Sequence, residues 1–308
     1  MKSENSKYQL GLFFGILFVS TASILIRYAQ TEASSLVVAA YRLGISAIIL
    51  GVVIFIKEPG FYKVYTPNHI RQAFLAGSFL AVHFASWITS LEYTSVASSV
   101  VLVTTTPLWV SILSPIVLKE KVGVNVIFGL VLAMVGGVVV GLSNVCSFTD
   151  GKIICDSFSL ILNGKELLGN FLALLGAFMA AGYILVGRRL RQNLSTLSYT
   201  FVVYGFSAIW LVLVVILRGE NLFSYSSNTF LILFLLALIP QVLGHSLFNW
   251  ALRFLPASAV SVALLGEPIG SSLLAFVILN EPPTLLEIAG GSLILFGIVI
   301  TLFRKQSH

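Results

Sequence analysis

The chain has 308 residues, 57% of them apolar and 10% charged, with a mean hydropathy of +0.99 and a formal net charge of +6. That much apolar surface excludes a soluble globule and predicts a polytopic all-α membrane protein. The positive charge excludes nothing by itself, because its placement along the chain decides its meaning.

A hydrocarbon core of ~30 Å takes ~20 helical residues. Low-charge runs of that size fall at about 8–28, 35–56, 69–90, 95–117, 123–142, 166–187, 197–217, 229–250, 256–279 and 284–303, which predicts ten transmembrane helices. The first run is read as a span and not a signal peptide, since Gly11–Ile26 is long and no small-residue cleavage site follows it. With the N-terminus inside, thirteen basic residues fall on the inner side: Lys2, Lys7, Lys57, Lys63, Arg71, Lys119, Lys121, Arg188, Arg189, Arg191, Arg253, Arg304 and Lys305. Only Arg27, Lys152, Lys165 and Arg218 fall outside, and Arg42 lies within the second span. This positive-inside bias puts both termini in the cytoplasm and explains the net charge without a nucleic-acid partner.

Six pairs of chemically special residues are each 161 positions apart: Gly15 and Gly176, Arg27 and Arg188, Pro107 and Pro268, Glu120 and Glu281, Gly129 and Gly290, Gly136 and Gly297. The chain therefore reads as two copies of one five-span unit, residues 1–142 and 166–308, joined by an outer loop at 143–165. An odd number of spans makes the second copy enter from the opposite side, an inverted repeat of the kind found in secondary transporters. Both cysteines, Cys146 and Cys155, lie in the loop, where they either pair or remain free thiols; neither has a metal-ligand partner at suitable spacing.

Glu120 and Glu281 sit in the short links after the fourth and ninth spans, where each caps the helix that follows or takes part in gating. Glycines crowd the fifth and tenth spans, and the four-residue spacing of Gly137 and Gly141 suits close helix packing within the protomer or at a dimer seam.

In Leu264–Gly270 a carboxylate and a proline interrupt an apolar run. Glu267 would lie near the midplane, where an ionised side chain costs at least ~2.5–3.5 kcal/mol unless it is paired or hydrated. Pro268 has its counterpart in Pro107, so the kink is architectural; Glu267 aligns with Thr106, so the fold does not demand the charge. Polar residues recur at helical spacing on the third span, as His83, Trp87 and Ser90, and on the eighth, as Gln241, His245 and Asn249. Such stripes face a bundle interior. At ~1.5 Å per residue Arg42 and His83 reach similar depth, and the expected arrangement is an outer-half cavity above Glu267. Arg42 there holds an anionic group such as a substrate carboxylate, or is neutralised by carbonyls or snorkels outward. Glu267 senses protons, binds an ammonium group, or is a protonated group hydrogen-bonded to a neighbouring helix.

The units containing Leu91-Glu92-Tyr93-Thr94-Ser95-Val96-Ala97, Pro107, Lys119-Glu120 and Gly129/Gly136, then Arg253-Phe254-Leu255-Pro256-Ala257-Ser258, Glu267-Pro268, Asn280-Glu281 and Gly290/Gly297, resemble the EamA-type modules of the drug/metabolite transporter superfamily. The resemblance covers nearly the full chain and implies a ten-helix inner-membrane carrier of small metabolites, often an exporter of amino acids or related compounds. The 143–165 loop is longer than the link usual in that family.

The expectation is a secondary transporter without cofactor, metal or catalytic residues. Its substrate-binding residues are Arg42, His83, Trp87, Gln241, His245, Asn249 and Glu267, its partners the bilayer, a small-molecule substrate and protons. The alternatives are an uncoupled channel or facilitator and an intramembrane enzyme. No phosphate-binding Gly-x-x-x-x-Gly-Lys-Ser/Thr loop and no His-Glu-x-x-His pair occurs to support a pump or a metallohydrolase.

Overall fold

The computed structural model describes residues 2–118, 124–142, 146–149, 152–155, 164–255, 260 and 263–302. Glu120 and the Lys119–Gly123 link therefore lie outside the described residues.

The first span is α1, Lys2–Ser20, followed after a break at Thr21 by α2, Ala22–Ala29. Helices α3, Ser35–Lys57, and α4, Pro67–Ser90, are continuous. The fourth span is split into α5, Val96–Val103, and α6, Thr106–Leu118. Pro107 cannot donate to the helix ladder, and the hydroxyls of Thr104, Thr105 and Thr106 bond back to the carbonyls of Val100, Leu102 and Val103 at 2.8, 2.8 and 2.9 Å. After α7, Val124–Leu142, the loop forms a hairpin of β1, Cys146–Thr149, and β2, Lys152–Cys155. Cys146 is disulfide-bonded, and the residue opposite it across the ladder is Cys155, the chain's other cysteine.

The second half holds α8, Lys165–Leu190, and α9, Thr196–Leu217. Next come α10, Ser227–Leu236, a π-helical stretch, Ala237–His245, and α11, Ser246–Ala251, in one run. Helix α12, Gly266–Leu274, passes into a second π-helical stretch, Ala275–Leu279, before α13, Leu285–Leu302. Among the described residues seven helices are long and apolar enough to cross a membrane. Three shorter apolar helices, Val131–Val140, Gly266–Leu279 and Leu285–Gly297, occupy the other three expected spans.

Serine starts four of these helices, and each cap is tied to a glutamate from elsewhere. The hydroxyls of Ser34, Ser95, Ser195 and Ser226 accept from the third N–H onward, as helix caps do. The same hydroxyls donate to Glu220, Glu287, Glu58 and Glu32 respectively. Glu281 behaves differently from expectation: it caps no helix of its own hairpin. It accepts from the N–H of Val96 at 3.3 Å and pairs with Arg27 at 3.2 Å, because the hairpin folds over the start of α5. The following helix, α13, is capped instead by Thr284 and Glu287 acting on each other's N–H.

Helices α7 and α13 meet backbone to backbone. A methyl group on Gly136 would lie 2.6 Å from the Gly290 carbonyl oxygen, and one on Gly297 would lie 2.6 Å from that of Gly129. Gly137, singled out by its spacing to Gly141, has no neighbour closer than 3.9 Å. The close packing is thus within the protomer and one residue out of the expected register.

Candidate functional site

The interior carries a cavity lined by α4, the α5–α6 break, α8, the α10–α11 run and the start of α12. Its walls include His83, Trp87, Thr106, Tyr183, His245, Asn249 and Glu267.

Local sequence explains why Glu267 reaches it. Gly266 and Gly270 are one helical turn apart, and methyl groups there would collide with Ile16 and Ser20 of α1. With that face pressed against α1, and Ser271 bonded to the Ser20 carbonyl at 3.1 Å, the adjacent Glu267 turns inward and is 8% exposed. Across the cavity, Thr106 uses its hydroxyl on the carbonyls of Val103 and Ala177 at 2.9 and 3.3 Å.

On α4, His83 bonds through Nδ1 to the Gly176 carbonyl at 2.9 Å. Its ring stacks on Trp87 with centroids 6.0 Å apart, so the two aromatics form one wall. His245 sets its ring edge-on to Phe84 at 5.8 Å, and Phe84 in turn carries Arg42. The Arg42 guanidinium is fully buried, with its central carbon 4.2 Å from the Phe84 ring centroid and 5.5 Å from that of Trp87. Its Nε donates to Gln241 Oε1 at 2.7 Å, while both terminal nitrogens lack a hydrogen-bond partner. Arg42 and Glu267 form no ion pair: those within 4 Å among the described residues are of Arg27 with Glu281 and Arg218 with Glu220. A buried cation held by aromatic faces and one amide is expensive.

Of the seven residues expected at the site, five line the cavity and two, Arg42 and Gln241, stand behind its wall. The expected outer-half location shifts as well. The lining continues through Ile184, Leu252 and Val260 toward the end that the charge bias assigns to the cytoplasm. At the opposite end Arg27, Glu281, Glu287 and Glu92 tie the helix ends together. Trp109 packs edge-on against Phe178 at 5.3 Å, away from the cavity.

A sequence model of the EamA-like transporter family matches residues 6–142 and again residues 167–303. The chain belongs to the EamA-like transporter family. An uncharacterized transporter of Archaeoglobus fulgidus is 22% identical over 98% of this chain and 99% of its own length. The uncharacterized transporter YetK of Bacillus subtilis is 26% identical over 86% of this chain and 77% of its own. A protein crystal structure superposes with a TM-score of 0.67 at 17% identity, covering 96% of both chains, which is a likeness of fold.

The space within the cavity is small: about 60 Å³ is open to the centre of a water molecule, room for a few waters at ~10–15 Å³ each. No cluster of three metal-ligating side chains occurs among the described residues. Sequence reading missed Tyr183, which lines the cavity and donates to Asn249 Oδ1 at 2.8 Å, and Tyr204, which accepts from Asn249 Nδ2 at 3.2 Å. A tyrosine in an apolar run carries no signal of its own, although the three-residue polar stripe ending at Asn249 marks the helix that both of them meet.

Proposed function

We propose that this EamA-like transporter is a secondary carrier that exports small metabolites, amino acids or related compounds, across the inner (plasma) membrane by alternating access. Its ten spans form two five-helix inverted repeats, residues 1–142 and 166–308, with the 143–165 loop outside and both termini in the cytoplasm. Substrate sits in the cavity walled by His83, Trp87, His245, Asn249 and Glu267, with Arg42 and Gln241 behind the wall. Glu267 couples transport to protons or receives the substrate's ammonium group.

The observation that carries this reading is the burial, without an ion pair between them, of a carboxyl group, Glu267, on the cavity wall and of a guanidinium, Arg42, behind it. A buried carboxyl and a buried guanidinium not paired with each other suit a solute carrying groups of both signs. Contacts recurring at the 161-residue offset support the inverted repeat. Gly176 faces Trp87 as Gly15 faces Phe248. Arg27 donates to the Thr94 carbonyl as Arg188 does to that of Leu255. Gly136 meets Gly290 as Gly297 meets Gly129. The narrow cavity favours a carrier over an open pore, and its extension toward the cytoplasmic end, with the outer helix ends tied, suits loading from inside.

The test is uptake into proteoliposomes of labelled amino acids and related metabolites, in wild type and in Glu267→Gln. The expected result is saturable, pH-dependent exchange that Glu267→Gln slows strongly and makes insensitive to pH. Unchanged rate and unchanged pH dependence in the variant would remove the carboxylate from the mechanism.

A further inference from the structure

A buried polar network runs from Arg42 to the far side of the cavity wall, and it joins four helices. Ser46, one turn beyond Arg42 on α3, donates to the Arg42 carbonyl at 2.6 Å and to the Ala237 carbonyl at 3.0 Å. This anchors α3 to the start of the π-helical stretch Ala237–His245. Within that stretch Gln241 is fully buried and gives its Oε1 to Arg42 Nε at 2.7 Å. The Tyr204 hydroxyl of α9 lies beside the Gln241 amide, close enough to interact. No hydrogen bond joins the two in the structure, and Gln241 Nε2 has no partner. Tyr204 is itself held by Asn249 Nδ2 at 3.2 Å, and Asn249 Oδ1 by Tyr183 of α8 at 2.8 Å.

In a π helix residues four apart stay close to one face, as they do in an α helix, so Gln241 and His245 point to the same side of the stretch. His245 reaches the cavity while Gln241 reaches Arg42. An amide that uses its oxygen on Nε holds the guanidinium by that edge alone and leaves both terminal nitrogens, the pair that grips a carboxylate, without a partner.

We propose that Gln241, set by Tyr204, is a positioning residue that orients Arg42 to receive an anionic group, and that Gln241 itself does not touch the solute. This inference rests on the reading of Arg42 as the anion-holding group of the transport site. Tyr204 acts on the anion through Gln241, and Gln241 acts through Arg42 Nε. Tyr183 and Asn249 hold Tyr204 in place from the cavity side.

The experiment uses the purified full chain in detergent, with sodium acetate as the probe and methylammonium chloride at equal ionic strength as the control. Binding is read by titration of the tryptophan fluorescence, to which Trp87, 5.5 Å from the guanidinium, contributes. Acetate is expected to bind the wild type and not Arg42→Gln. Gln241→Leu is expected to raise the acetate Kd about tenfold, the scale of one lost hydrogen bond to a charged group, and Tyr204→Phe to raise it by a smaller factor. The double variant is expected to be no weaker than Gln241→Leu, since both act along one path. Tyr204→Phe removes a single oxygen, so it keeps the question open if Gln241→Leu does not fold. The unfolding midpoints without acetate serve as the control for a merely structural role, because positioning changes Kd while leaving them within a few degrees. Absence of acetate binding to the wild type overturns the anion reading of Arg42 and this inference with it. Binding that is lost in Arg42→Gln but unchanged in Gln241→Leu and Tyr204→Phe overturns the positioning role and leaves the anion reading standing.

Discussion

The seam between α7 and α13 offers a test on two adjacent glycines that helix propensity cannot tell apart. In a helix interior Gly→Ala gains about 1 kcal/mol. At Gly137 the added methyl meets nothing nearer than a Leu102 carbon at 3.9 Å, an ordinary contact, so Gly137→Ala is expected to keep that gain. At Gly136 the methyl would lie 2.6 Å from the Gly290 carbonyl oxygen and 2.9 Å from the Ile294 nitrogen, both backbone atoms that cannot rotate away. The helices must separate there, at the ~1–3 kcal/mol typical of overpacking. The propensity gain is common to both, so Gly137→Ala should raise the unfolding midpoint in detergent and Gly136→Ala should fall below it by about 1–3 kcal/mol. Gly297→Ala, whose methyl would lie 2.6 Å from the Gly129 oxygen, should behave like Gly136→Ala. Equal midpoints for Gly136→Ala and Gly137→Ala would refute the assigned packing register.

Two further outcomes follow from the glutamate-tied caps. Glu287 is 4% exposed and accepts from the Ser95 and Ser98 hydroxyls and the Thr284 N–H, so Glu287→Ala leaves three donors unpaired. It should cost about 3 kcal/mol or more, and Glu287→Gln about half as much; chemical denaturation measures both, and a neutral Glu287→Ala would contradict the capping role. Glu32 accepts from the N–H and hydroxyl of Ser226, bonds that hold its carboxyl below the ordinary carboxylate value of 4.5. The folded chain thus takes up this proton less readily than the unfolded one, so the tie is present above about pH 4.5 and is lost as pH falls through the depressed value. Hydrogen exchange at the Ser226 and Thr229 amides, corrected for its intrinsic rate, should speed up on acidification in wild type and show no such step in Glu32→Gln.

The parts of this protein legible in its sequence are those set by one-dimensional patterns. Apolar runs located the helices, and the 161-residue offset singled out the glycines that prove to touch. The lone Glu267 in an apolar run led to the cavity. The stripe Gln241, His245 and Asn249 serves two neighbouring places: His245 and Asn249 line the cavity, and Gln241, fully buried, bonds to Arg42, a division that spacing alone does not show. Tertiary partners are invisible in the sequence: the hairpin places Glu281 on Arg27 and Val96, far away along the chain, and not on the helix that follows it. Tyr183 and Tyr204 are aromatic residues in apolar helices, and only the fold shows that their hydroxyls turn inward to Asn249.

The charges of the site acquire their meaning together. Taken alone, Glu267 on its glycine-flanked turn is a buried carboxylate, and Arg42 between Phe84 and Trp87 is a buried cation with two unused donor groups. Each is costly, and a direct ion pair would have relieved both. They nevertheless stand apart, Glu267 on the cavity wall and Arg42 held behind it by Gln241. A fold under selection for stability alone gains nothing from that separation, whereas a carrier needs both groups free when the solute arrives. On the proposed carrier reading, the cost of the two unpaired groups is a cost of the empty state, which binding a solute of complementary charge would lower.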